Sequence, residues 1–277
     1  MDPFDLHMLC GAFDDSGSVR SVRGVGISKH EKSLVGKIIG NRIANQEAFI
    51  KKIKEVWHTI HSFKVEQIAR DNLYVFHFQT KDDMLKVASG GPWSFDRQLL
   101  SLVKPTGIGK IYDMNFSKVA FWIQIHNVPR ACMTRKAAYF LGDLLGSVED
   151  VDLGDLGDCD GKFLRLRISI DIDEPLIKGL KVFIEEVNKE VPMIIQYERL
   201  PDFCFHCGKI GPKYPDCLDL DGLYVDPAVF KFGDFLLAKP PTHSRTERFV
   251  NKKAPSPQRD SDGGLARRKS PNFGACC

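Results

Sequence analysis

The feature that most restricts the fold of this chain is a run of ten residues that alternates without fault between two kinds of side chain. Residues 163–172 carry leucine or isoleucine at every even position, and the odd positions include Arg165 and Arg167. Because successive side chains of a β-strand point to opposite faces of the sheet, this pattern predicts a strand with one buried face. The chain is therefore expected to contain a sheet that packs on one side.

The elements expected around this strand fall into two similar halves. Apolar runs, helical spacing and turn residues predict strands at 34–39, 63–69, 73–79 and 99–103, with helices at 45–60 and 81–89. The second half has predicted strands at 119–126, 148–153, 163–172 and 193–197, and predicted helices at 135–145 and 176–187. We therefore predict an α+β fold of two βαββαβ units, the ferredoxin-like order that RNA-recognition modules (RRM) also use.

Three cysteines near the end of the second half are spaced like the ligands of a short zinc module. Cys204, Cys207 and Cys217 match the cysteines of the C-x2-C-x4-H-x4-C zinc knuckle, but Pro212 stands where the knuckle has histidine. Zinc prefers four tetrahedral ligands, and proline offers none. The spacing predicts a degenerate zinc knuckle. The candidates for its fourth ligand are water, Asp216 and His206.

Four stretches of the chain resemble a plant protein family derived from retrotransposons. In that family a domain of unknown function, as found in the first reading frame of long interspersed elements, precedes a CCHC-type knuckle. The stretches are residues 32–37, 90–96, 198–204 and 232–236, with Phe235 where the family is expected to have tryptophan. The resemblance implies a gag-like protein that binds single-stranded RNA or DNA, with self-association as a further expectation.

Composition places the chain among ordinary soluble proteins. Of its 277 residues 43% are hydrophobic and 27% charged, and no apolar run approaches the roughly 20 residues of a membrane span. The acidic start at 1–5 is unlike a signal peptide, which predicts a nuclear or cytoplasmic location. Thiols stay reduced there, so the eight cysteines do not predict a disulfide framework.

The end of the chain differs in composition from the rest. Residues 239–271 contain nine Lys or Arg against three Asp or Glu, interleaved with proline, serine and glycine. This predicts a disordered basic tail that attracts phosphates. Its candidate contacts are Lys252, Lys253, Arg267, Arg268 and Lys269.

A second candidate contact surface lies on the predicted sheet of the second half. Trp122, Gln124 and His126 share one face of their strand and lie beside Arg165 and Arg167. An open face with an aromatic ring and two guanidinium groups can stack bases and pair with phosphates. The alternatives are an ordinary solvated face, or a face covered by the other half.

Two sets of aromatic residues complete the candidates. Phe205 and Tyr214 lie within the knuckle, where a closed loop presents such rings to unstacked bases. Tyr74, Phe76 and Phe78 alternate on one strand of the first half, either as a stacking surface or as core. Three large rings bury more apolar area than the residues between them, so the core is favoured.

No complete set of catalytic residues is recognisable, so we expect a binding protein and not an enzyme. The acidic residues between 149 and 160 lack a partner base or nucleophile and predict a solvated hairpin loop. The alternative function is a domesticated protein-interaction module with a decayed knuckle. The predicted divisions are a flexible arm at 1–31, a first domain at 32–104, a second unit at 118–200, the knuckle at 201–218 and the tail at 239–277.

Overall fold

The computed structural model describes residues 31–69, 72–105, 110–153, 159, 161–185, 188–220 and 224–239. The N-terminal arm up to residue 30 and the basic tail from residue 240 lie outside the described residues. The roles expected for Lys252, Lys253, Arg267, Arg268 and Lys269 therefore stay predictions.

The first half forms one antiparallel sheet covered by helices. Its elements are β1 (Ser33–Ile39), α1 (Gln46–Val56), β2 (Lys64–Ala69), β3 (Leu73–His77), α2 (Lys81–Ser89), β4 (Trp93–Phe95) and β5 (Gln98–Val103). The strand order is β2-β3-β1-β5-β4. Without the short β4, which adds a hairpin at the edge, this is the ferredoxin-like βαββαβ order, so the prediction for the first half is confirmed.

The helix ends of this half follow local chemistry. The Asn45 side chain accepts a hydrogen bond from the Ala48 amide at 3.0 Å, which confirms the predicted N-cap of α1. The predicted continuation of α1 to Ile60 is wrong, because His58 has a left-handed φ of 45° and Ile60 is 82% exposed. None of the helices among the described residues has the length and apolar character needed to cross a membrane.

The core of the first half is mainly aromatic. Tyr74, Phe76 and Phe78 are buried and face the helices, with the rings of Phe49 and Tyr74 4.6 Å apart and those of Trp57 and Phe76 4.9 Å apart. The preference for core over a stacking surface at these three positions is confirmed. Their burial also means that they cannot contact a nucleic acid from this sheet.

The second half forms another sheet with the same central order. Its elements are β6 (Lys118–His126), α3 (Arg135–Asp143), β7 (Ser147–Val151), β8 (Leu164–Asp171), β9 (Gly179–Ile184), β10 (Lys189–Glu198) and β11 (Leu237–Ala238). The path is β11-β10-β6-β8-β7, with β9 paired to β10. The even positions of 163–172 are all buried, which confirms the strand predicted from their alternation.

The predicted helix at 176–187 is wrong. Residues 179–184 form β9, which pairs antiparallel with β10. The apolar residues Leu180, Val182 and Ile184 recur at every second position and all pack against the core, so the period is that of a strand and not of a helix. Within the described residues, the second unit keeps the strand order of the motif but has a β-hairpin in place of its second helix.

Candidate nucleic-acid interface and cysteine cluster

The segment with the three cysteines folds as a tight loop. The Gly208 amide donates to the Cys204 carbonyl at 2.8 Å, and the Cys204 amide donates to the Lys209 carbonyl at 2.9 Å. Gly208 has a φ of +82°, and a Cβ there would collide with the Phe232 ring. Glycine is therefore required after the second cysteine, both for the turn and for the close approach of the following segment.

The loop brings the three sulfur atoms together. The Sγ atoms of Cys204, Cys207 and Cys217 lie within 4.8 Å of one another, and those of Cys207 and Cys217 are 3.6 Å apart. Ligands at about 2.3 Å from a tetrahedral zinc ion are about 3.8 Å apart, so the spacing fits three corners of a zinc site. Burial raises the pKa of Cys207 to about 12, and it also raises the pKa of Cys217. These raised pKa values mean that burial disfavours the thiolate form, and a bound cation would offset this effect by stabilising the thiolates.

The two protein candidates for a fourth ligand do not join the sulfurs. Among the described residues, the cluster that could hold a metal contains only the three cysteines. The Asp216 carboxylate accepts a hydrogen bond from the Asn41 side chain at 2.9 Å, and the His206 ring lies 6.3 Å from that of Phe230. The expectation that Asp216 or His206 supplies the fourth zinc ligand is therefore corrected. The described residues offer zinc three thiolates, which leaves water as the candidate for the fourth ligand.

A groove of about 250 Å³ opens beside this loop. Its walls include the half-buried rings of Phe205 and Tyr214, the two stacking candidates of the knuckle, and of Phe230. The Tyr214 and Phe230 rings are 5.1 Å apart with an interplanar angle of 64°. The loop thus holds both expected rings at one concave surface, and the chain beyond it adds a third.

Charged side chains from distant parts of the sequence line the same groove. The Asp202 carboxylate lies 2.6 Å from Arg97 Nε and 3.0 Å from Lys213 Nζ. Asp234 is exposed, and its carboxylate has no hydrogen-bond or ion-pair partner among the described residues. Two cations and two carboxylates therefore line the groove, and the Asp234 carboxylate remains able to accept hydrogen bonds.

Sequence reasoning missed Phe230, Arg97 and Asp234 as parts of this site. Phe230 and Asp234 follow the knuckle by more than a dozen residues. The similarity of 232–236 to the family described above includes Asp234 but not Phe230. Arg97 belongs to the β4–β5 turn of the first half, and its carbonyl accepts the Asp202 amide at 2.8 Å. Only the packing of the two halves brings it to the groove.

The second candidate surface, on the sheet of the second half, is not open. Arg165 is 6% exposed, and Glu198 accepts two hydrogen bonds from its guanidinium group, at 2.8 and 2.9 Å. The group also lies 3.9 Å from the centre of the Trp122 ring, and Gln124 donates to Glu198 at 2.7 Å. Burial would lower the pKa of Arg165, but Glu198 and Asp152 raise it above its usual value.

Arg167 is buried in a similar way. It is 7% exposed and donates to the Gly91 carbonyl of the first half at 2.9 Å and to Glu149 at 3.1 Å. Burial lowers its pKa. The half-buried His126 lies with its ring 4.9 Å from that of Phe163, and burial lowers its pKa too.

The expectation of an open sheet face at Trp122, Gln124, His126, Arg165 and Arg167 is thus corrected, and the alternative of a covered face fits the structure. The two arginines are buried because carboxylates of neighbouring strands pair with them. Glu149 and Asp152 are two of these partners. Glu149 is exposed, as the solvated interpretation of the acidic run predicts, whereas Asp152 is half-buried.

Comparison with known proteins identifies part of the chain. Residues 26–104 match DUF4283, a domain of unknown function. This is the region for which the resemblance predicted such a domain. No curated protein matches the chain.

The chain is weakly similar to three solved structures. One is a Sex-lethal protein–RNA complex, at 11% identity and TM-score 0.23, over 60% of this chain and 98% of that one. Another is the pair of RNA-recognition domains 1 and 2 of Sex-lethal from Drosophila melanogaster. It has 9% identity and a TM-score of 0.21, and the match covers 50% of this chain and 85% of that one. A third comprises the first two RRM domains of the yeast poly(U)-binding protein Pub1. It has 8% identity and a TM-score of 0.21, and the match covers 60% of this chain and 98% of that one.

In the DUF4283 domain the sheet face away from the helices is also covered. Val35, Leu73 and Val75 point from this face toward Phe116, which precedes β6, and all four are buried. The Ser101 hydroxyl donates to the Phe116 carbonyl at 2.8 Å. The segment that connects the two sheets therefore covers this face of the first sheet.

Proposed function

We propose that this protein binds single-stranded RNA or DNA in the groove beside the cysteine cluster. The observation that carries the proposal is the placement of three aromatic rings, Phe205, Tyr214 and Phe230, around one cavity of about 250 Å³. Drug-sized ligands occupy pockets of roughly 300–1,000 Å³, so this smaller groove suits one or two unstacked bases. Among the described residues both sheet faces are covered, so neither offers an open aromatic surface to a strand.

The groove supplies the two interactions that single strands need. Stacking of a base on an aromatic side chain contributes about 1–3 kcal/mol and does not require a particular sequence. Lys213 and Arg97 at the rim are paired with Asp202, and the phosphates on either side of the base would compete with this carboxylate for them. Asp234 can accept hydrogen bonds from a base amino group, which adenine, guanine and cytosine have and uracil lacks.

Cys204, Cys207 and Cys217 would hold zinc in this proposal. Zinc bound there would supply structural rigidity and no reaction chemistry. With zinc bound, the three thiolates would connect the turn that carries Phe205 to the segment that carries Tyr214. The chain would then meet a strand with its rings already in place, at a lower entropic cost.

The proposal also covers the evolutionary origin of the protein and its location in the cell. Gag-like descent from a retrotransposon agrees with the DUF4283 match and with the knuckle spacing. Action as a binding protein without catalysis, in the nucleus or cytoplasm, belongs to the same proposal. The basic tail would add salt-sensitive attraction through residues outside the described part of the chain.

The experiment is fluorescence anisotropy with labelled single-stranded RNA and DNA at fixed salt. Tyr214→Ala and Phe230→Ala are each expected to weaken binding by about 1–3 kcal/mol, since each removes one stacking surface. Tyr112→Ala is the matched control, because Tyr112 is 62% exposed and lies outside the groove. Equal affinity of all four proteins would remove the groove from the proposal. A folded wild-type protein that binds neither nucleic acid would favour the protein-interaction alternative.

A further inference from the structure

The strand β9 leaves one edge of the second sheet unpaired within the described part of the chain. It pairs only with β10, and the helix that would cover this side in a βαββαβ unit is replaced by the β9–β10 hairpin. An exposed edge presents backbone N–H and C=O groups that can pair with another strand.

The side chains around this edge are unusually apolar for a solvated surface. Phe183 of β9 is 56% exposed, and Phe140 and Leu144 near the end of α3 are 59% and 48% exposed. A groove of about 300 Å³ separates α3 from β9, with Phe140 on one side and Val182 and Ile184 on the other. Because Phe183 alternates with the core-facing Val182 and Ile184, it lies on the sheet face away from α3, so exposed apolar side chains flank this edge on both faces. Exposed apolar surface of this kind marks interaction sites.

We propose that β9 pairs with β9 of a second copy of this chain, antiparallel and centred on Phe183. The inference is independent of the proposed nucleic-acid binding. In this register Phe183 faces Phe183 of the other copy, and Lys181 faces Glu185 on both sides of the two-fold axis. Opposite charges and aromatic pairs directly across two strands stabilise a sheet, so the exposed side chains of this edge are complementary to themselves.

The charges select this register over its neighbours. A centre at Lys181 would place two lysines opposite each other, and a centre at Ile184 would place Phe183 opposite Glu185. Lys181 and Glu185 are both exposed, and neither has an ion-pair partner among the described residues. A lysine on an edge strand commonly prevents pairing with another strand. In this register each Lys181 lies opposite Glu185 of the other copy, so the lysine does not oppose the pairing.

The two-fold axis of such a pair also explains the apolar helix. An axis perpendicular to the sheet places α3 of both copies on the same side of one continuous sheet. The grooves between α3 and β9 then lie next to each other, and Phe140 and Leu144 approach the other copy. One contact would thus cover both the strand edge and the exposed helix residues.

Charge exchange tests the pairing in the full chain, after nuclease treatment to remove bound nucleic acid. Sedimentation equilibrium is expected to show a dimer of the wild-type protein. Lys181→Glu and Glu185→Lys should each raise the dissociation constant by about tenfold, since each replaces two attractive pairs by two repulsive ones. Lys51→Glu, at an exposed position on α1, is the control and should dimerise like wild type.

Two further samples, which restore opposite charges across the pair, make the outcome decisive. An equal mixture of Lys181→Glu and Glu185→Lys proteins should form heterodimers, and the double variant should recover the wild-type dissociation constant. Association in the mixture also shows that the single variants are folded. A wild-type protein that stays monomeric at every concentration, or single variants that dimerise normally, or a mixture that does not associate, would each overturn the proposal.

Discussion

At the scale of single residues, Pro212 and Arg165 have the clearest consequences. Pro212 stands where the C-x2-C-x4-H-x4-C pattern has histidine, in a loop that brings three sulfur atoms within 4.8 Å of one another. Arg165 shows that a charged residue on the polar side of an alternating strand need not face solvent. Its guanidinium group has a carboxylate and a tryptophan ring within reach, and these compensate for its burial.

The variant Pro212→His tests the cysteine cluster as a metal site. It would complete a three-Cys, one-His set with the knuckle spacing, and zinc should bind at least about tenfold more tightly. Competitive chelator titration measures the change. Pro227→His is the control, because it adds an imidazole outside the loop at an exposed position. Equal zinc affinity in wild type and Pro212→His would show that the loop does not use position 212 for a ligand.

At the scale of elements, the N-terminus of α2 depends on one buried carboxylate. Asp83 is 2% exposed and accepts hydrogen bonds from the Ile60 amide at 2.8 Å, from both the amide and the ring of His61, and from the Thr80 hydroxyl. Burial alone would raise the pKa of Asp83, but these hydrogen bonds lower it to about 2. The carboxylate thereby ties the loop after α1 to the start of α2.

This lowered pKa predicts acid sensitivity. Because the folded pKa lies below the unfolded value of 3.8, the stabilisation is complete above about pH 4.5 and is lost as the pH falls through 3.8 toward 2. The loss should be about 2 kcal/mol in the free energy of unfolding, measured by urea denaturation at a series of pH values. Asp83→Asn should lack this part of the pH dependence. Asp82→Asn, exposed on the same helix, should keep it, and a wild-type slope in Asp83→Asn would contradict the assignment.

At the scale of the whole molecule, polar side chains of the second half contact the first half. Arg167 donates to the Gly91 carbonyl, and Arg199 donates to the Gly90 carbonyl at 3.1 Å. Phe116 fills the face of the first sheet. The packing of the halves therefore hides both sheet faces, and it brings Arg97 to the groove beside the knuckle.

The buried charges of this packing should be needed for stability. Arg165→Ala is expected to lower the free energy of unfolding by about 3–5 kcal/mol, since it leaves the buried Glu198 without its cation. Chemical denaturation measures the effect, with the exposed Arg130→Ala as the matched control. An effect no larger than that of Arg130→Ala would mean that the sheet face around Arg165 is open in solution.

Several features could be predicted from the sequence because they depend on neighbouring residues. The alternation at 163–172, the Asn45 cap and the βαββαβ order of the first half follow from local periodicity and capping chemistry. The cysteine spacing likewise predicted the three-sulfur cluster, since the turn between Cys204 and Cys207 is local. The helix predicted at 176–187 failed although its signal was also local, because the two-residue period of Leu180, Val182 and Ile184 was not recognised.

The burial of the two arginines and the composition of the groove were decided by tertiary structure. Alternation separates two faces of a strand but cannot tell solvent from a second domain, so it did not show that Arg165 and Arg167 are buried. Their partners Glu198, Glu149 and Gly91 come from other strands and from the other half. The groove depends on Arg97, far away in the sequence, which lines it only when the two halves pack. Long-range pairing of this kind leaves no periodic signal, because it depends on which surfaces meet and not on the order of residues along either one.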